Sequence, residues 1–246
     1  MLDNYVVKDE KENKSFSTEE QYTVPYILMI ITNLTIEEKG QKQLFCSDKV
    51  ELDSVKGVIF LKMFQKLLEN IYKLELDFLS SIVANISALQ EAREFFFEYK
   101  IYEIIMAQIS KMNNFKLVNM LRLFRNLCSE YSKYEEAILT RDGYMFIICF
   151  RVLVEANIKQ ESWKLNAPVI DELHLTHFDY TKAEEEKEVI NDLIIDIFVT
   201  LAGSTKAFPL VVKNGLREVW DKIWPKLNGI KLADRAYVIT NFLNAC

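Results

Sequence analysis

The chain predicts an all-α fold, a right-handed solenoid of stacked helical repeats, and three observations lead there. A short phrase recurs at the end of successive apolar runs. It begins at Asn33 (NLT), Asn85 (NIS), Asn126 (NLC) and, altered, Thr200 (TLA), and a truncated fifth copy, VITNFLNAC, closes the sequence. Asn85 to Asn126 and Thr200 to Asn241 both span 41 residues, the period of armadillo- or HEAT-type units, while 52 from Asn33 to Asn85 and 74 from Asn126 to Thr200 mark units with insertions. Glycine and proline are scarce, six and four in 246 residues, with no two glycines closer than 12, which is too few for the turns of a sheet-rich fold. Half the residues are hydrophobic, and a chain of this length can bury about 70% of its unfolded surface.

The elements follow in order. Residues 1–22 are polar with a few apolar anchors (Tyr5, Val6, Val7, Phe16) and read as a weakly ordered arm; the solenoid then occupies 23–246. Pro25 opens the first helix, where a missing N–H costs little, and that helix runs through Asn33. Glu37 to Phe45 and Val55 to Tyr72 follow, the latter with Val58, Leu61, Phe64 and Leu68 on one face, and then Asp77 to Ser87. Glu91 to Tyr99 contains three consecutive phenylalanines and fits a strand or a helix buried on most sides; the repeat frame decides for helix. Tyr102 to Lys111, Lys116 to Ser129 and Ser132 to Thr140 continue the pattern. Asp142-Gly143 and Asn214-Gly215 mark corners between helices, ahead of Tyr144 to Ala156 and Leu216 to Trp224. Residues 157–180, with Pro168, lack helical periodicity and read as an inserted loop. Thr181 and Glu184 then form a capping box for a helix ending near Ala202.

Composition limits the function classes. No apolar run reaches the length of a membrane span, and the charges of the N-terminal residues follow a short apolar start, the reverse of a signal peptide, so a soluble cytoplasmic protein is expected. The net charge of −6 argues against nucleic-acid binding. Ile158 to Asp192 holds nine acidic residues against four lysines, so the negative field is local. Four cysteines without a C-x-x-C pair read as buried small hydrophobes. No glycine pair suits a phosphate loop. The two histidines, His174 and His177, lie in the inserted loop, where two imidazoles without a further ligand make a poor metal site. With no base placed beside a nucleophile, the chain reads as non-catalytic, without cofactor, metal or small-molecule substrate.

The recurring asparagine needs its own explanation, because Asn is a poor mid-helix residue. Two roles fit. Its amide can bond a neighbouring backbone group and so fix one repeat on the next, or it can hydrogen-bond the main chain of an extended partner peptide along the groove of the stack. Met29, Ser81, Arg122 and Asp196 stand one turn earlier on the same face. In the central unit Asn119, Arg122, Asn126 and Glu130 form a polar stripe at i, i+3, i+7 and i+11, with Arg125 beside it. The stripe is either a solvated face or the centre of a binding groove in which an arginine pairs a partner carboxylate. The candidate groove is therefore Asn33, Ser81, Asn85, Asn119, Arg122, Arg125, Asn126 and Glu130. Trp220 and Trp224, one turn apart, fit a core wedge better than a binding hot spot; Trp163 fits either.

LSSIVANISALQEAREFFF, LFRNLCSEYSKYEEAIL and the stretch from Ala167 through the acidic segment to LIIDIFVTLAGSTKAFPLVVKNGLREVWDKI resemble, in content and order, successive blocks of the eukaryotic HGH-one family of armadillo-type proteins. The most specific elements are Arg125 and Asn126 with Cys128 and Glu130, and the loop and acidic helix ahead of Gly203 to Gly215. The resemblance covers roughly residues 24 to 240. It implies a co-chaperone or adaptor that assists folding of translation elongation factor 2 with the cytosolic chaperonin and the Hsp90 machinery. The family offers no catalytic residues, and Asn85, Arg125 and Asn126 are the concave positions that carry over. Relative to the family the chain is short at both ends and has Thr200 where the pattern has Asn, a reduced form expected to keep its client and lose a chaperone contact. An Hsp70 nucleotide-exchange factor and a structural subunit of a larger assembly are the alternatives.

Overall fold

The computed structural model describes residues 18–45, 75–98, 100, 114–139, 149, 151–154, 156–157, 180–202, 204, 206, 209–210, 216–227 and 233–245. Among the described residues the chain is helical and has no strand. The helices with described bounds are α1 (Thr18–Leu34), α2 (Glu38–Phe45), α3 (Glu75–Ile86), α4 (Gln90–Glu98), α5 (Asn114–Cys128), α6 (Tyr131–Ile138), α7 (Tyr180–Ala202), α8 (Leu216–Leu227) and α9 (Ala233–Ala245). None of them is long and apolar enough to cross a membrane. The chain divides into two compact units, Met1–Ile105 and Met106–Cys246. The helices expected over 55–72 and 102–111, the two Gly corners, Trp163, both histidines, Cys46 and Cys246 lie outside the described residues.

In the first unit α3 packs against α1 and α2. The first helix corrects the sequence reading: it starts at Thr18, so Pro25 is inside it and residues 18–22 belong to a helix instead of the arm. A proline within a helix removes one backbone bond, at about 3 kcal/mol, and the bonds on either side carry the helix past it. Thr35 closes α1, its N–H donating to Ile31 O at 2.9 Å and its hydroxyl to Thr32 O at 2.7 Å. The turn into α2 is so tight that a Cβ on Gly40 would stand 1.9 Å from the Leu34 carbonyl oxygen. Only a residue without Cβ fits there.

The C-terminus of α3 is capped twice. Ser87 donates its hydroxyl to Ala84 O at 2.6 Å, and Arg93 donates to Ser87 O at 3.1 Å and Ala88 O at 2.7 Å. Carbonyls that the helix leaves without donors thereby gain them, one set from a cation at the favourable end of the helix dipole. The triple-phenylalanine run is helical, as the repeat frame predicts, and buries Ala92, Phe95, Phe96 and Phe97. Three consecutive buried positions cannot lie on one helical stripe, so α4 is buried on more than one side. Past its end Lys100 adopts φ 53°, a conformation that glycine usually supplies.

In the second unit α7 packs against both α5 and α9, α9 against α8, and α5 against α6. Having partners on two sides explains its composition: Ile190, Leu193, Ile194, Ile195, Ile197, Phe198 and Leu201 are all buried. Its start corrects the capping-box reading. An N-cap residue is non-helical, whereas Tyr180 and Thr181 are already within α7. The α8 helix continues past Trp224 through Pro225 to Leu227; Pro225 and Asp221, whose carbonyl loses its donor, are both exposed, where water can take the bond. Residue Asn157, read as the first of the inserted loop, is helical and buried. Its amide donates to Leu153 O and to Asn191 Oδ1, both at 2.8 Å, and Asn191 returns a bond of 3.2 Å. With Lys226 Nζ donating to Asn157 O at 2.9 Å, this amide pair joins α7 and α8 to the end of the preceding helical segment.

Trp220 is fully buried, donates its indole N–H to Thr240 Oγ1 at 2.9 Å and stacks on Trp224, with ring centroids 6.2 Å apart. This is the core wedge that the i, i+4 spacing predicts. The apolar C-terminal residues divide: Leu243 is buried and Val238 half-buried, while Tyr237 and Phe242 are exposed.

Candidate protein-binding face

The third position of each recurring phrase is a core position. Thr35, Ser87 and Cys128 are each 0% exposed, and Ala202 is buried beside them in kind. A small residue fits because the chain turns there, and where it has a hydroxyl it closes its own helix. Ser129, one residue on, does this for the central copy, donating to Asn126 O at 2.7 Å.

The asparagines diverge. Asn85 Nδ2 donates to Thr35 Oγ1 at 3.1 Å, so in the first unit the amide of one phrase reaches the hydroxyl of the preceding phrase. Thr35 O in turn accepts from the buried Gln41 Nε2 at 2.8 Å. At Asn85 the amide thus ties one copy of the phrase to another, through a side-chain hydroxyl instead of the expected backbone group. Asn33 is exposed near the end of α1, and half-buried Ser81 bonds back to Asp77 O at 3.2 Å. At Thr200 the hydroxyl donates to Asp196 O at 2.8 Å, which still lets its oxygen accept.

In the second unit the stripe is only partly a surface. Asn119 is buried, which takes it out of the groove as a contact residue; it sits beneath Arg122, whose guanidinium reaches its Oδ1 at 3.5 Å. Glu130 lies past the end of α5, in a turn whose carbonyl accepts from Lys133 N at 3.0 Å; the eleven-residue spacing fails because the helix stops at Cys128. Arg122 is exposed, and Arg125 and Asn126 are half-buried.

Arg125 already has a carboxylate neighbour within the chain. Its guanidinium is 3.7 Å from Asp196 Oδ2, the two side chains 41% and 28% exposed. Arg235, from α9, donates to both Asp192 and Asp196 on α7. Partial burial lowers the Arg235 pKa, but the hydrogen bonds to Asp192 and Asp196 outweigh it and hold the guanidinium above its usual value. Charge thus crosses three packed helices, from Arg125 on α5 over Asp196 and Asp192 on α7 to Arg235 on α9. Arg235 and Asp192 are absent from the sequence-derived set. The signal for the carboxylates was their i, i+4 spacing on a long helix; nothing in the sequence near Arg235 pointed to them.

A second ionic tie holds α6. Glu135 accepts from Ser204 Oγ at 3.0 Å and pairs with Lys206 Nζ at 2.9 Å, fixing the start of the segment after α7. Backbone angles at Tyr134 (φ −119°, ψ 20°) break the regularity of α6 beside this tie. Cys128 and Cys149 are free and buried. Burial, and then the neighbouring Cys149, push the Cys128 thiol up; burial pushes Cys149 up to about 12 against a lowering from its own backbone. Both are protonated and poor nucleophiles at neutral pH. Among the described residues no group of His, Cys, Asp and Glu could hold a metal ion. No protein-family model, no curated protein and no solved structure matches this chain.

Proposed function

We propose that the chain is a non-catalytic, cytoplasmic protein-binding adaptor, an armadillo-type solenoid of the HGH-one kind that assists the folding of translation elongation factor 2 together with the cytosolic chaperonin and the Hsp90 machinery. The observation that supports it is the row of α5, α7 and α9, which carries the third, fourth and fifth copies of the phrase on neighbouring helices with Arg122, Asn126, Thr200 and Asn241 accessible. Polar groups at one position of successive helices suit an extended client chain whose main chain they can meet. The client's identity comes from the resemblance of the sequence blocks to that family.

The test is affinity capture from eukaryotic cytosol with the intact chain and with the Arg125→Ala/Asn126→Ala variant. The Arg125–Asp196 pair is half-buried and 3.7 Å apart, a contact worth little to stability, so helical content stays. Elongation factor 2 and chaperonin are enriched by the intact chain and lost with the variant; equal capture by both removes the face from the mechanism.

A structural-subunit reading has one observation in its favour. On α1, Tyr26, Met29, Ile30 and Leu34 are exposed, with Ile36 just beyond, the kind of apolar surface that protein interfaces use. A stable stoichiometric complex in the same capture, in place of the client, would select it.

A further inference from the structure

We infer that the α5 side of this face receives an acidic polypeptide segment, docking carboxylates against Arg122 and Arg125. The inference rests on the protein-binding reading above and specifies the partner's chemistry. Helix α5 carries Lys116, Arg122 and Arg125 and no acidic residue, in a chain whose net charge is −6. Arg122 is exposed, and among the described residues its polar contact is the long 3.5 Å approach to Asn119 Oδ1, which steadies the guanidinium without neutralising it. Arg125 shares Asp196 with Arg235, and Arg235 holds that carboxylate through the closer oxygen. Among the described residues three guanidiniums therefore meet two carboxylates, Asp192 and Asp196, and the excess positive charge sits at Arg122 and Arg125. A partner carboxylate placed between them makes charge-assisted hydrogen bonds to groups already ordered on a helix.

A polypeptide fits better than a nucleic acid. Asp192 and Asp196 flank the arginines, and they would repel a uniformly charged phosphate chain. A peptide spaces its carboxylates among neutral residues, and its main chain can meet Asn126, Thr200 and Asn241 along the same row.

The test uses the full chain and fluorescence anisotropy of a short labelled peptide with glutamates interspersed among Ala, Ser and Leu. Its counterpart with Gln for Glu and a single-stranded oligothymidine complete the probes. The glutamate peptide binds at low salt, weakens by about tenfold in the Arg122→Gln/Arg125→Gln variant and weakens again as salt rises. The Gln peptide binds more weakly than the glutamate peptide. Equal binding of the two peptides, glutamate-peptide binding that ignores the variant, or tighter binding of oligothymidine overturns the inference. An Arg217→Gln variant, which removes an exposed arginine of α8 outside this face, is the control: its helical content and its glutamate-peptide binding are kept. Where the Arg122→Gln/Arg125→Gln variant loses helicity, the comparison of the glutamate and Gln peptides and the salt series of the intact chain decide. Capture of elongation factor 2 that still depends on Arg125 and Asn126, with no preference for the glutamate peptide, would end the acidic-segment inference and leave the adaptor reading standing.

Discussion

The amide of Asn85 donates a 3.1 Å hydrogen bond to the hydroxyl of Thr35, 50 residues earlier in the chain. Both belong to the recurring phrase, Asn85 as its first residue and Thr35 as the third of the preceding copy. The bond therefore joins α3 to the end of α1 through the phrase itself. Thr35 is fully buried and also donates to Thr32 O, so its oxygen has no water to fall back on. Asn85→Ala and Thr35→Val each lower stability by about 1–2 kcal/mol. In a double-mutant cycle by chemical denaturation the paired variant loses less than the sum; strict additivity would show that the contact carries no coupling.

Gly40 tests the α1–α2 turn. A Cβ would meet a backbone carbonyl, which cannot rotate away as a side chain can. Gly40→Ala destabilises by about 1–3 kcal/mol, although alanine is the better helix former. A thermal melt that rises in this variant would show that the turn is looser than described.

Lys100 is the opposite case. Its φ of 53° costs a residue with Cβ about 1 kcal/mol relative to glycine. Lys100→Gly raises the denaturation midpoint, and no change or a fall would mean that the lysine side chain compensates in full.

The buried Asn157–Asn191 pair predicts an asymmetry. Asn191→Ala leaves the buried Asn157 Oδ1 without the donor it has in Asn191, while its Nδ2 keeps Leu153 O, and costs about 1–3 kcal/mol, whereas Asn157→Leu with Asn191→Leu removes both polar groups and costs less than the two single changes together. Urea denaturation of the wild type, the three single variants and the double variant measures it.

Thiol ionisation gives a pH dependence. The Cys149 thiol goes from an ordinary value of 9.0 to about 12 in the fold, so between those values the unfolded chain has released a proton that the folded chain keeps. Stability from this group is complete below pH 9.0 and falls as pH rises toward about 12. Cys128, also raised, acts in the same direction. The Cys128→Ala/Cys149→Ala variant shows a flatter loss of stability over that window, and an identical slope would contradict the burial of the two thiols.

Helix content was legible from spacing because long apolar runs broken by few glycines leave little else for the chain to do. The phenylalanine run in α4 shows how the frame resolves a local ambiguity. Pro25 misled for a physical reason: proline marks a helix boundary only when no surrounding bonds can carry the helix past it, and a sequence does not display those bonds. At the candidate face, spacing put Arg122, Arg125 and Asn126 on one helix, and on α5 all three are accessible, but it placed buried Asn119 on the surface and ran the stripe past the end of α5 to Glu130. The Arg235 clamp was out of reach, because it depends on which helices become neighbours in space.

Hydrogen exchange with purified translation elongation factor 2 tests the central claim most directly. The account predicts that the client slows exchange in α5 and α9 around residues 122–128 and 235–242, and that the Arg125→Ala/Asn126→Ala variant abolishes the protection. Tight binding with protection confined to the first unit, or no binding by a correctly folded chain, would contradict it.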